Sequence, residues 1–141
     1  MNKSIAILLL FGLIGLSACT NTSSKILFDG SGDDDWYTSG NVSVKDSVLV
    51  ISGLDSYAVL KNSKYKDFDL NLKMRTVQGG KGFIGIHTDD SGKGYRIAVN
   101  NDIEDPVWRK MTGSLLSVRN LTKSLVKDGQ WFDLNIRVEG Q

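Results

Sequence analysis

Two segments of this chain alternate apolar and polar residues with a strict period of two. They are Phe68-Asp69-Leu70-Asn71-Leu72-Lys73-Met74-Arg75 and Phe132-Asp133-Leu134-Asn135-Ile136-Arg137-Val138. Successive side chains of an extended strand point to opposite faces, so each segment presents one face to a core and the other to water. A helix would scatter the same residues around its surface, and no stretch of the chain carries a sustained helical period. Shorter strand candidates fall at 26–28, 42–44, 48–52, 58–61, 83–88, 95–100 and 115–119. Between them stand Asp29-Gly30, Gly79-Gly80, Ser91-Gly92 and Asp128-Gly129, which are turn signals. Many short strands at this spacing predict an all-β domain, a sandwich or jelly roll.

Charge and cysteine content narrow the function. With 17 basic and 16 acidic residues the net charge is +1, so no global bias draws the chain to nucleic acid or to anionic surfaces. Cys19 is the only cysteine and His87 the only histidine. A disulfide is therefore excluded within one chain, and a zinc site at His87 has no second histidine or thiolate to complete it. No loop has the recognised spacing of oxygen ligands for calcium or magnesium, so no metal or other cofactor is assigned.

The N-terminus has its own logic. Lys3 precedes a short apolar run over 5–16, and Leu16-Ser17-Ala18-Cys19 follows directly. The run is too short to cross a hydrocarbon core, which takes roughly 20 apolar residues. The arrangement resembles a bacterial lipoprotein signal peptide with its lipobox. That resemblance implies a signal over 1–18, cleavage before Cys19, and lipid on its sulfur and new amine, which together anchor the chain stably to a membrane. Thr20 stands where lipoproteins held at the inner membrane carry aspartate. The expected location is therefore the outer membrane, facing the periplasm. Residues 19–25 then form a polar tether, and 26–141 the folded domain.

Seven short motifs suggest what that domain is. Ile26-Leu27-Phe28-Asp29-Gly30, with Trp36 shortly after, opens it. Asp46-Ser47-Val48-Leu49-Val50-Ile51, Tyr65-Lys66-Asp67-Phe68-Asp69-Leu70 and the glycine-rich 79–85 follow. Then come Gly94-Tyr95-Arg96-Ile97-Ala98, Thr112-Gly113-Ser114-Leu115 and finally Gly129-Gln130-Trp131. In this order they resemble the 3-keto-disaccharide hydrolase domains. The resemblance implies a concanavalin-like jelly-roll β-sandwich and a role in processing glycosides oxidised at carbon 3. Two departures from the family pattern stand out. Many members carry glutamate and then glutamine where this chain has Arg96 and Ala98, so a carboxylate on that strand face has become a guanidinium. Members also continue with further strands beyond the motif that ends at Trp131, so the domain is expected to be incomplete at its C-terminus.

A ketone at carbon 3 makes the hydrogen on carbon 2 acidic, because the resulting carbanion is an enolate. Its collapse expels the glycosidic oxygen from carbon 1, and water then adds to the enone. This route needs a base near carbon 2 and an electrophile near the ketone oxygen, not the paired carboxylates of ordinary glycoside hydrolysis. His87 has the side chain whose ordinary pKa suits a base at neutral pH. It shares a strand face with Phe83 and Gly85, and the glycine leaves room for a ligand to approach. Arg96 is the candidate electrophile. Tyr95, Asn100, Trp108 and Arg109 are the candidate substrate contacts, since sugars offer hydroxyls to polar side chains and C–H faces to aromatic ones. Asn101, Lys110 and Arg119 belong to the same polar set and read as surface or supporting residues.

Each of these residues also has a plainer reading. His87 reads also as a polar strand end or a satisfied buried histidine, and Tyr95 and Trp108 as packing. Trp36 and Trp131 are expected as core anchors, Asp29 as a turn cap, Asp33-Asp34-Asp35 as a solvated acidic turn and Asp89-Asp90 as turn punctuation. Three functions stay open: an enzyme cleaving 3-keto-glycosides by elimination or hydrolysis, a non-catalytic carbohydrate-binding envelope lipoprotein, and a structural envelope protein. The expected partners are an oxidised glycoside or other carbohydrate and a membrane reached through lipid, and no nucleic acid.

Overall fold

The computed structural model describes residues 24–62, 64–89, 91–104 and 110–140. The described elements are β-strands paired antiparallel, with turns between them and no helix among the described residues. The chain divides into two compact units, residues 1–61 and 62–141.

The first unit is a long hairpin of β1 (Trp36–Lys45) and β2 (Val48–Leu60). Asp46 and Ser47 join the strands with φ of 51° and 59°. Two successive left-handed residues make the type of two-residue turn whose twist matches that of the strands. The segments expected separately at 48–52 and 58–61 are one strand, because Gly40 lets β1 bulge between Ser39 and Asn41 while β2 loops out opposite. Gly40 sits at φ 77°, and a Cβ there would lie 2.4 Å from Ser56 Oγ and 2.9 Å from its Cα. No strand forms at 26–28. That segment is held instead by Trp36, whose Nε1–H donates to Leu27 O at 3.2 Å. Asp29 caps its own turn as expected, accepting from Ser31 N–H at 2.8 Å and Ser31 Oγ–H at 2.6 Å.

The second unit holds two ladders. β3 (Phe68–Met74) pairs with β6 (Phe132–Val138), and these are the two alternating segments. The register sets Phe68 opposite Val138, Leu70 opposite Ile136, Leu72 opposite Leu134 and Met74 opposite Phe132. A slip of one residue would oppose apolar to polar at every pair, so the alternation itself fixes the register. β4 (Lys81–Ile86) pairs with β5 (Tyr95–Asn100). The free edge of β5 is bonded by the chain over 112–116: Ala98 N–H donates to Ser114 O at 2.8 Å, Thr112 N–H to Asn100 O at 2.9 Å, and Leu116 N–H to Arg96 O at 2.9 Å. The strand expected at 115–119 is a tight turn, closed by a bridge between Leu115 and Arg119.

With partners on both edges, β5 is the centre of this unit. Ile97, Ala98, Val99, Met111 and Ile136 are its buried apolar residues. Asn100, Asn101, Thr112 and Ser114 are buried with them, and among the described residues no buried side-chain polar atom lacks a partner. Burying amide and hydroxyl groups is tolerated only when they bond one another. Thr112 Oγ1–H donates to Asn101 Oδ1 at 2.6 Å and Thr112 Oγ1 accepts from Asn100 N–H at 2.9 Å. Asn101 Nδ2–H donates to Thr76 Oγ1 at 2.8 Å and to Asp128 Oδ1 at 3.2 Å. Thr76 Oγ1–H donates to the same carboxylate oxygen at 2.5 Å, and Gly79 N–H to the other at 3.2 Å. One network therefore joins the end of β5, the turn before β4 and the turn before β6.

Candidate functional site

The β4–β5 ladder carries the candidate catalytic residues. Its register places Gly85 opposite Arg96 and Phe83 opposite Ala98, so Phe83, Gly85, Arg96, Ala98 and Asn100 share one face. Arg96 extends diagonally across that face, with its guanidinium carbon 4.6 Å from the centroid of the Phe83 ring. A guanidinium is planar and weakly hydrated, and it lies readily on an aromatic ring. One Nη–H reaches Gly92 O at 3.5 Å. Among the described residues no carboxylate stands within ion-pair distance of Arg96. Asp89, in the turn between the strands, bonds Ser91 Oγ–H at 2.7 Å, Ser91 N–H at 2.9 Å and Lys93 N–H at 2.9 Å. The Ser91 hydroxyl, followed by the Lys93 N–H, holds the Asp89 carboxyl below its ordinary pKa. Over Gly85 the Thr88 methyl stands 3.1 Å from where a Cβ would lie, and Phe83 remains 54 % exposed on the same face as the guanidinium.

His87 is the first residue past β4, and it departs from the expected alternation. Its φ is 48°, so the chain leaves the strand there and the ring does not continue the Phe83–Gly85 face. Gly94 permits that exit. A Cβ at Gly94 would come within 2.7 Å of His87 O and 2.8 Å of Ile86 O. The imidazole turns toward the chain before β3, where Nε2 lies 3.1 Å from Tyr65 O and 3.0 Å from Lys66 O. The ring also meets Phe68 edge to face, with centroids 5.7 Å apart. Carbonyl oxygens only accept, so Nε2 carries the hydrogen. In the neutral ring the lone pair is then on Nδ1, which has no hydrogen-bond partner among the described residues.

The other candidates separate. Tyr95, 44 % exposed, lies on the face opposite Arg96, with Ile84 and Ile86 on the neighbouring strand. Asn100 is buried, and its Oδ1 accepts from Asp102 N–H at 3.0 Å, so it shapes the turn after β5 rather than offering an amide to a ligand. Trp108, Arg109, Asp90 and Cys19 lie outside the described residues. Trp36 is half-buried, with its indole N–H bonded to Leu27 O. Trp131 is 44 % exposed and carries the Arg75 guanidinium over its ring at 5.1 Å, which corrects the expectation that it anchors the core. The carbonyls of Asp33, Asp34 and Asp35 receive Trp36 N–H, Lys61 Nζ–H and Lys61 N–H, so that acidic run is built into the turn by its backbone. Among the described residues no three histidine, cysteine or acidic side chains cluster as metal ligands would.

Sequence reasoning missed two features of this unit, the Arg96–Phe83 stack and the hydrogen on Nε2 of His87. The first was accessible, since Phe83 and Arg96 are diagonal neighbours once 83–88 and 95–100 are paired as a hairpin. The second needed the loop at 65–66, which nothing in the local pattern brings to His87.

With this geometry in place, comparison with known families identifies the domain. Residues 23–141 match the model of the 3-keto-alpha-glucoside-1,2-lyase-like domain. The chain belongs to that family. No curated protein and no solved structure matches it. The all-β architecture of antiparallel strands agrees with the concanavalin-like jelly roll that the sequence resemblance implies.

Proposed function

We propose that this domain cleaves 3-keto-glycosides by elimination across carbons 1 and 2, with His87 as the base and Arg96 as the electrophile. The observation that carries the proposal is the fixed tautomer of His87. Two backbone carbonyls hold the hydrogen on Nε2 and leave the Nδ1 lone pair to accept a proton. In the proposed step Nδ1 takes the hydrogen from carbon 2, the electron pair moves toward the ketone oxygen, and an Arg96 N–H stabilises the developing enolate. Collapse of the enolate breaks the bond from carbon 1 to the glycosidic oxygen, which leaves with a proton returned from the imidazolium. The His87 ring leaves the face that carries Phe83 and Arg96, so the reading requires the sugar to lie over the end of β4, with the ketone toward the guanidinium and carbon 2 toward Nδ1. The family supports the substrate class, and no carboxylate pair is required by this chemistry.

The chain is also proposed to act at the cell envelope, held by lipid on Cys19 in the outer membrane and facing the periplasm. Leu16-Ser17-Ala18-Cys19 after a short apolar run supports that reading. A Cys19→Ser chain should no longer fractionate with the outer membrane, and retention there would refute it.

The catalytic test uses a 3-keto-glucoside and follows the sugar protons by NMR in deuterated water. Turnover with exchange at carbon 2 is expected. His87→Gln keeps an amide N–H near the position of Nε2, for Tyr65 O and Lys66 O, but has no nitrogen in place of Nδ1. It should therefore fold normally and lose turnover. Full turnover by His87→Gln would remove His87 from the mechanism. Binding without turnover by the unaltered chain would favour the carbohydrate-binding reading instead.

A further inference from the structure

We infer that the outer face of the β3–β6 ladder binds a carboxylate-bearing sugar, with Trp131 as its stacking surface and Arg75 as the partner of its carboxylate. This site lies on a different ladder from His87 and Arg96 and does not depend on the elimination chemistry. Period-two alternation puts Asn71 and Lys73 on the outer face of β3, and the register sets them opposite Asn135 and Asp133. Together with Leu72 and Leu134 these four line an open groove of about 340 Å³. The next pair along the strands, just beyond the last rung of Met74 and Phe132, is Arg75 and Trp131.

Three observations distinguish this face from the ordinary solvent side of an amphipathic hairpin. First, an indole stands 44 % exposed at its end, although tryptophan is the side chain with most apolar surface to hide. Second, Arg75 lies over that ring, 5.1 Å from its centroid, and among the described residues it has no carboxylate within ion-pair distance. The carboxylate in the neighbouring turn, that of Asp128, is already bonded by Thr76, Asn101 and Gly79. Third, Lys73 and Asp133 oppose each other across the ladder without forming an ion pair, and so leave a cation and an acceptor open to a ligand. The backbone on both sides is held, because Gly129 N–H donates to Thr76 O at 2.8 Å and closes the segment that delivers Trp131.

The chemistry selects the ligand. Asn135 Nδ2–H donates to Asp69 Oδ1 and to Asn71 Oδ1, so a pyranose would offer its C–H face to the indole and its hydroxyls to Asn71 Nδ2–H, Asn135 Oδ1 and Asp133. A planar guanidinium fixed by stacking presents paired N–H groups whose geometry matches a carboxylate. A neutral sugar would use the indole and leave the Arg75 guanidinium unanswered, whereas a uronic acid uses both.

The test is a fluorescence titration of the full chain with a β-1,4-linked glucuronate tetramer, and with cellotetraose as its neutral counterpart. The tetra-uronate should quench and shift tryptophan emission saturably and bind at least tenfold more tightly than cellotetraose. Arg75→Gln should abolish that preference while leaving turnover of a 3-keto-glucoside unchanged, and Trp131→Ala should abolish binding of both. Should Trp131→Ala fail to fold, Arg75→Gln carries the test, because no hydrogen bond in the described structure depends on that side chain. Equal affinity for the two tetramers, binding of neither, or unchanged uronate affinity in Arg75→Gln would each overturn the inference.

Discussion

Thr112→Val tests whether the buried polar network holds the second unit together. Valine has the shape of threonine, so the substitution removes one hydroxyl and leaves no cavity. In the folded chain Thr112 Oγ1 donates to Asn101 Oδ1 at 2.6 Å and accepts from Asn100 N–H at 2.9 Å, and all three residues are buried. Each group deprived of its partner costs about 1–3 kcal/mol. Two such losses sum to about 2–6 kcal/mol, against a gain of about 1 kcal/mol for burying a methyl in place of a hydroxyl. A net loss near 3 kcal/mol is a large part of a small domain's stability, which runs to about 5–15 kcal/mol. At about 4 °C per kcal/mol the melting temperature should fall by roughly 12 °C. Urea denaturation followed by circular dichroism should show a lower midpoint with an unchanged slope. Thr112→Ser, which keeps the hydroxyl, should lose less than half as much. If Thr112→Val melts with the unaltered chain, or if Thr112→Ser is equally damaged, the network is not what holds β5 to its neighbours.

Two further outcomes are expected. Arg96→Gln removes the proposed electrophile, and loss of one such donor typically lowers kcat by about 10²–10³. KM should move little, whereas a raised KM at constant kcat in steady-state kinetics would make Arg96 a ground-state binding residue. Ser91→Ala removes the hydroxyl that contributes most to lowering the Asp89 pKa, so carboxyl carbon NMR should record an upward shift toward the ordinary value. Because the folded value is depressed, the stabilisation from this cap is complete above the ordinary carboxylate pKa and fades as pH falls through the lowered one. An unchanged Asp89 titration in Ser91→Ala would refute that assignment.

The alternation at 68–75 and 132–138 was legible because a strand with one wet face has no other way to be written. The same pattern also set the register of β3 on β6, although paired residues such as Asn71 and Asn135 stand 64 positions apart in the chain. Where the strands are more polar, the reading broke down. Residues 53–57 carry Gly53, Asp55 and Ser56 inside β2, and turn residues there signal an interruption. The structure accommodates them as a bulge opposite Gly40. At 26–28 three apolar residues suggested a strand, yet their contact is an indole N–H nine residues away. His87 and Arg96 were recognisable as chemistry-bearing residues by type. Their settings, a left-handed exit from β4 and a stack on Phe83, depend on pairings between segments that local periodicity does not encode. Trp131 was misjudged for a related reason. Its own segment reads as the approach to a strand, but its side chain falls on the outer face with Asp133 and Asn135.

In the two proposed sites an arginine lies on an exposed aromatic ring without a carboxylate partner among the described residues, and the chemistry asked of each differs. At Arg96 the charge is useful only if the enolate is bound better than the ketone, since binding both equally would not raise kcat. A guanidinium held by a ring and one distant carbonyl meets that requirement, because it is already positioned and has no counter-charge among the described residues to release as the enolate forms. Arg75 faces a sugar whose charge is permanent, and it adds affinity whatever happens at carbon 2. A glycan held on β3–β6 would raise the local concentration of reactive ends around the same unit, a gain that needs no direct contact with the catalytic residues. The two roles therefore predict different salt responses. Capture by Arg75 should weaken steadily with ionic strength, since both partners are exposed ions. The step assisted by Arg96, measured at saturating 3-keto-glucoside, should change far less, because the charge it stabilises arises only within the bound complex.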